Sequence, residues 1–260
     1  DTVLSLGVNL GHLDEADYKA DIFSVSTGVN HYFNKYLTGS AAVEYAFARV
    51  TDVDGTTIYR SLALPIGATW DRRDNKTDAT KGFYLDGEAK PFLGFGITDS
   101  GLRLMLDGRA YKSFGTDKRL VLAARVQAGA VLGSSLLGTP RDDLFYSGGG
   151  GTVRGQPYQS LGINVTRPGD DLHLGGTHFL GASLEARMRV TGAIGVVGFV
   201  DVGRVDADAF FGSVGDWHAG AGLGLRYATG VGPIRLDVAA PVGGSTGDGV
   251  QIYVGLGQAF

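Results

Sequence analysis

The chain contains no cysteine, which excludes both a disulfide framework and a thiolate metal centre. Proline is scarce, 7 of 260 residues against 43 glycines, so the chain is neither a proline-rich disordered segment nor collagen-like. Only 19% of residues are charged and the net charge is −4. Without a basic field, nucleic acid is excluded as a partner. No long apolar run is present either. The longest uncharged stretch, Val126 to Pro140, is interrupted by Gln127, Ser134 and Ser135 and is too short for a spanning helix. If this chain enters a membrane, it does so with strands. From Asp1 onward there is no secretory leader pattern, which leaves a processed chain, a piece of a longer one and a cytosolic one all open.

What the chain does have is alternation with the two-residue period of β-strands. In "TVLSLGVNL", Leu4, Leu6, Val8 and Leu10 share one face while Ser5, Gly7 and Asn9 share the other. In "FLGASLEARMRV", Leu184, Ala186, Met188 and Val190 oppose Glu185, Arg187 and Arg189. Turn residues divide the chain into twelve expected strands, near 2–12, 20–33, 37–49, 56–70, 81–92, 101–114, 119–132, 176–190, 194–205, 217–228, 232–241 and 250–260. The fold class is therefore all-β, in one domain spanning 1–260.

The second face decides which all-β fold. It carries small residues and a few charges of both signs, such as Asp86, Glu88 and Lys90 in one strand and Arg103, Asp107 and Arg109 in the next. That lining suits a crowded polar interior. Apolar-out, polar-in segments joined alternately by short and long connections mark a transmembrane antiparallel β-barrel. Short turns are expected at 34–36, 71–80, 115–118, 191–193 and 229–231, and outer loops at 13–19, 50–55, 93–100, 133–175, 206–216 and 242–249. Tyr45, Phe47, Trp70 and Phe260 are expected in an aromatic girdle.

Within the long loop lies "LFYSGGGGTVRGQPYQSLG", four glycines and then one arginine with no acid beside it. A glycine-rich loop can cradle a phosphate, or it can fold back so that the arginine meets carboxylates elsewhere. Other constellations are weaker. "GGSTG" at 243–247 has the spacing of a nucleophile elbow but is followed by another strand rather than a helix, so a turn is expected there. "GAGLGLR" alternates at strand period rather than forming a nucleotide loop. His12, His31, His173, His178 and His218 have no metal-ligand spacing. No metal site, cofactor or catalytic residue is assigned.

The segment "FYSGGGGTVRGQ" resembles the long-loop signature of the BamA/TamA outer-membrane assembly superfamily. Gly148, Gly149, Thr152, Val153, Arg154 and Gly155 match it, and Gln156 stands where an aromatic is usual. "WDRRDNKTDATKGFYL", "LEARMRV" with "GFVDVGRV", and "GVGPIRLDVAAPV" with "IYVGLGQAF" agree, the ending looking most like the TamA type. The resemblance covers 56–260 well and 1–55 by pattern alone. It implies that loop 133–175 tucks into the lumen and that Arg154 pairs with Glu185 and Asp201, which strand parity places on the inner face. It also implies that Tyr253, Gly255, Gly257 and Phe260 belong to a C-terminal β-signal on one side of a seam between first and last strands.

The function implied is non-enzymatic outer-membrane protein assembly or translocation. Its partners would be outer-membrane lipid, client outer-membrane or autotransporter proteins and a TamB-like inner-membrane protein. The alternative is a secretion or diffusion pore of the two-partner secretion type. The family barrel has sixteen strands with the long loop after the eleventh, whereas here the loop follows the seventh. Four N-terminal strands and the POTRA domains are accordingly expected to be absent, and an open edge could pair with a second copy.

Overall fold

A computed structural model of the protein describes residues 1–15, 17–115, 117–167, 171–244 and 249–260. Fifteen strands follow in chain order: β1 (Thr2–Asp14), β2 (Lys19–Tyr32), β3 (Leu37–Asp52), β4 (Gly55–Ala63), β5 (Ile66–Asp71), β6 (Gly82–Gly94), β7 (Gly101–Phe114), β8 (Leu120–Leu132), β9 (Ile163–Val165), β10 (Leu172–Leu174), β11 (His178–Arg189), β12 (Ile194–Asp206), β13 (Trp217–Tyr227), β14 (Ile234–Gly243) and β15 (Gln251–Leu256). No helix occurs among the described residues. All but β9 and β10 belong to one sheet of sequential antiparallel neighbours, with β11 docking directly on β8.

The expected fourth strand is split. Proline cannot donate to a ladder, and the strand breaks at Leu64-Pro65 into β4 and β5. Pairing stays in step across the break, with Ala63 opposite Glu44 and Ile66 opposite Ala41. β4 and β5 therefore act as one rung of a twelve-rung wall. The long connection after β8 contains the small hairpin β9–β10, which its glycine-rich flanks did not announce.

The wall inverts the usual arrangement of a water-soluble protein. Leu184, Met188, Leu223 and Leu225 are exposed on its outer face, whereas Glu185, Arg187, Asp201 and Asp237 are buried on its inner one. An apolar band of this extent suits hydrocarbon rather than water. The sheet curls. The turn between β5 and β6 reaches the residues after β15, where Gln258 N donates to Thr77 O at 3.0 Å and Gln258 Nε2 to Asp78 at 3.0 Å. That turn is itself rigid, because the Asp74 carboxylate accepts from Thr80 N, Thr80 Oγ1 and Lys81 N.

Two expectations about the chain end need correction. The last strand stops at Leu256 rather than at residue 260, since Gly257 takes a left-handed backbone at φ 84° and turns the tail inward. Phe260 consequently is no girdle residue: it is buried against Tyr111, Ala79 and Ala123. Tyr45 and Trp70 do lie exposed on the outer face, and Phe47 is half-buried with Arg60 over its ring. β1 pairs with β2 and β15 with β14, and no ladder joins β1 to β15 among the described residues.

Placing an arginine at Leu184, midway along the outer face of β11, is expected to lower stability in a bilayer by about 2–4 kcal/mol. Denaturant titration of wild type and Leu184→Arg in lipid vesicles checks this; equal midpoints would contradict a lipid-facing wall.

Candidate functional site: an arginine held by three strands

Residues 133–167 and 171–177 fold back against the inner face of the wall. Gly148 and Gly149 both have left-handed backbones (φ 98° and 87°), a conformation that glycine adopts without Cβ strain. Gly149 N donates to Gln156 O at 3.0 Å and Gly148 N to Thr152 Oγ1 at 2.9 Å. These bonds close a compact turn that presents Arg154. Val153 is fully buried among Phe145, Leu161, Phe179 and Val205, so the turn is pinned by packing as well.

Arg154 meets carboxylates from three strands. Its Nε and Nη2 donate to Asp201 of β12 at 2.7 and 3.0 Å, and its backbone N donates to the same side chain at 3.0 Å. Its Nη1 donates to Glu185 of β11 at 2.6 Å and lies 3.4 Å from Asp237 of β14. The guanidinium stacks on the Phe199 ring, 3.5 Å from the centroid. Glu185 also accepts from Arg187 Nε at 2.7 Å, and Asp237 from Arg226 Nη1 at 2.5 Å. Each of the three carboxylates is thus bonded by a guanidinium of Arg154, Arg187 or Arg226, and that direct pairing is what makes so deep a charge cluster tolerable. Burial opposes the Arg154 charge, yet Asp201 and Glu185 outweigh it and raise its pKa above the ordinary arginine value.

Close backbone approach makes the anchor possible. Gly155, at φ 95°, lies against the Ala240 carbonyl, where a Cβ would come within 2.6 Å. Gly220 on β13 lies against the Arg154 carbonyl, where no side chain fits. Gln156 replaces the expected aromatic for a visible reason. A register shift between Ala219 and Gly220 interrupts the β13–β14 ladder, and Gln156 Nε2 donates to Ala219 O and Gly243 O at 3.0 and 3.1 Å. Its amide thus serves carbonyls at the bulge.

The residues of the expected C-terminal signal lie in contact with this cluster. Tyr253 Oη accepts from Gly155 N at 3.0 Å. Gly255 lies beneath the Arg235 guanidinium, whose Nε would be 2.7 Å from an added Cβ. Phe260 O accepts from Arg187 Nη2 at 3.0 Å, with that guanidinium over its ring. Gly257 provides the turn between them.

The sequence reading missed Asp237, although "IRLD" puts it on the inward parity of its strand. It also missed a second set of anchors on the opposite wall. Arg141 pairs with Asp52 at 2.9 Å, Lys90 with Asp143 at 3.0 Å, and Tyr59 Oη donates to Leu137 O at 3.0 Å. Ser135 N and Oγ donate to Asp99 at 2.9 and 2.6 Å, holding the Asp99 carboxyl below its ordinary range. The "GGSTG" segment cannot be placed, because residues 245–247 lie outside the described residues.

With this geometry in view, the comparisons with known proteins are decisive on one point. A sequence model of the Omp85 superfamily domain matches residues 3–260. The chain belongs to the Omp85 superfamily. Membership places it in the bacterial outer membrane. BamA from Haemophilus ducreyi, in a crystal structure lacking POTRA domains 1–3, is similar with a TM-score of 0.82 at 16% identity, over 96% of this chain and 57% of that one. CdiB from Acinetobacter baumannii is similar with a TM-score of 0.58 at 15% identity, over 86% of this chain and 39% of that one. At such identities the likeness is one of fold. The chain spans little more than half the length of the BamA chain it matches.

Arg154→Ala leaves three buried carboxylates short of a partner and is expected to cost about 3–5 kcal/mol. Arg154→Lys is expected to recover part of that loss, since an ammonium keeps the charge but not the planar fork. Denaturant midpoints, together with protease cleavage of 133–175, measure both; wild-type values for Arg154→Ala would dismiss the anchor.

The Asp99 contact carries a pH dependence. Because its folded pKa is lowered, the stabilisation is complete above the ordinary carboxylate pKa of about 3.9 and is lost as pH falls through the folded value. Cleavage near Ser135 is expected to rise in wild type below about pH 4, and to be high and flat with pH in Asp99→Asn. A wild-type profile that is equally flat would count against this contact.

Proposed function

We propose that this chain is the barrel part of a TamA-type outer-membrane assembly and translocation factor that works without catalysis, through a lateral seam bounded by β1 and β15. One observation carries the reading: among the described residues β15 pairs along one side only, with β14, and is held from inside by the bond between Tyr253 and the Arg154 turn. An edge strand fixed in place but unpaired can template an incoming strand through main-chain hydrogen bonds. The glycines at 255 and 257 weaken whatever pairing that edge makes.

In this reading Gly148, Gly149, Thr152, Val153, Arg154, Gly155 and Gln156, with Glu185 and Asp201, form a latch that keeps the long loop in the lumen. Tyr253, Gly255, Gly257 and Phe260 form the C-terminal signal and one side of the seam. Clients are outer-membrane or autotransporter proteins, outer-membrane lipid surrounds the wall, and a TamB-like inner-membrane protein is the partner. The two edges meet either strands of a longer chain or a second copy. The inward charges Arg103, Asp107, Arg109 and Arg125 favour a second reading, a secretion or diffusion pore.

Two measurements on the chain in lipid separate these readings. Vesicles containing it are expected to fold a urea-unfolded eight-stranded barrel several-fold faster than empty vesicles. Planar-bilayer channels are expected to be mostly closed in wild type and to open in Arg154→Ala, Glu185→Gln and Asp201→Asn. Opening without any acceleration of folding would favour the pore; neither effect would remove the latch and the seam together.

A further inference from the structure

Where the short turns lie, the inner wall holds a cavity of about 300 Å3 that borders the Arg154 cluster at Arg187 and Arg226. Its lining includes Lys118, Arg119, Arg187, Arg189 and Arg226, against one carboxylate, Asp78. That carboxylate is already engaged by Gln258, and Arg119 is 3.4 Å from Asp117. No ion pair of Lys118 or Arg189 occurs among the described residues. Lys118 and Arg189 therefore leave the cavity with a net positive charge.

Two of these cations are built into the wall. Arg187 and Arg226 are each only 5% exposed. Arg187 spends Nε on Glu185 and Nη2 on Phe260 O, while Arg226 spends Nε on Gln258 and Nη1 on Asp237. What remains is Nη1 of Arg187 and Nη2 of Arg226, both buried and without an acceptor among the described residues. A buried donor left unmatched is costly, and the bonds to the other nitrogens fix where these two can point. Preorganised, desolvated guanidiniums of this kind bind oxyanions, phosphate among them.

The cavity also has an apolar side. Met188 and Ile194, which line it at the turn between β11 and β12, face outward and are exposed. A molecule seated there would have its anion among the arginines and any hydrocarbon toward the membrane. We propose that this cavity is a phosphate site, taking the phosphodiester of an anionic lipid headgroup or, by the same chemistry, free phosphate. The inference stands apart from the seam and the latch, since it uses neither an unpaired strand edge nor Arg154.

Calorimetric titration tests it on the full chain in a non-ionic detergent, with sodium chloride fixed at about 0.15 M to suppress diffuse ionic binding. The probes are inorganic phosphate and the soluble lipid dihexanoyl-phosphatidylglycerol. Saturable binding is expected, weakened roughly tenfold in Lys118→Ala/Arg189→Ala, whose positions carry no bond of the Arg154 cluster and whose fold is checked by circular dichroism. Lipid binding that phosphate displaces identifies the headgroup as the source; phosphate binding alone identifies the free anion. Absence of saturable binding for both probes, or equal affinity in the double variant, overturns the proposal.

Discussion

A guanidinium shared among three carboxylates is the constraint on which the molecule depends. Glu185, Asp201 and Asp237 come from β11, β12 and β14, and none of them could be buried alone without a large desolvation cost. Arg154 arrives from a loop, so the strands and the loop can reach their final state only together. The strands bring negative charge inside because a cation will come, and the loop gives up solvent because the carboxylates are there. Phe199, lying flat beneath the guanidinium, removes the remaining water from one side.

The same segment is fastened to the facing wall by unrelated contacts: Arg141 on Asp52, Lys90 on Asp143, Tyr59 on the Leu137 carbonyl. It therefore acts as a strap between β3–β7 and β11–β15, and its apolar residues, Val153, Phe145 and Leu161, form an interior core that the wall alone would not possess. The wall contributes Phe92, Val131, Phe179 and Val205 to that core. The rest of the filling is supplied by one connection, and by a C-terminal tail that turns in at Gly257 and lodges Phe260 beside Tyr111.

Much of this could be read from the residues in order. Alternation reports which face a side chain takes, so the strands, the order of short and long connections, and the inward parity of Glu185 and Asp201 were all accessible. Alternation says nothing about distance across a lumen. For that reason Asp237, with the same parity signal, went unassigned, and so did Asp52, Lys90 and Tyr59, which look like ordinary strand residues until the strap lies over them. The break at Leu64-Pro65 was legible in principle, because proline is a poor ladder residue, but the flanking alternation continues in step and conceals it. Phe260 was misplaced because a terminal aromatic reads as a membrane-interface residue, and only the left-handed Gly257 shows that the chain has already left the sheet.

Gln156 illustrates how a local irregularity is inherited. The offset between β13 and β14 and the carboxamide that serves its carbonyls are separated by more than sixty positions in the chain, yet the fold brings them into direct contact. Losing the glutamine takes a donor from two half-buried carbonyls; straightening the ladder moves those carbonyls away from the amide. A single polar residue in a loop thus records the pleating of a distant hairpin.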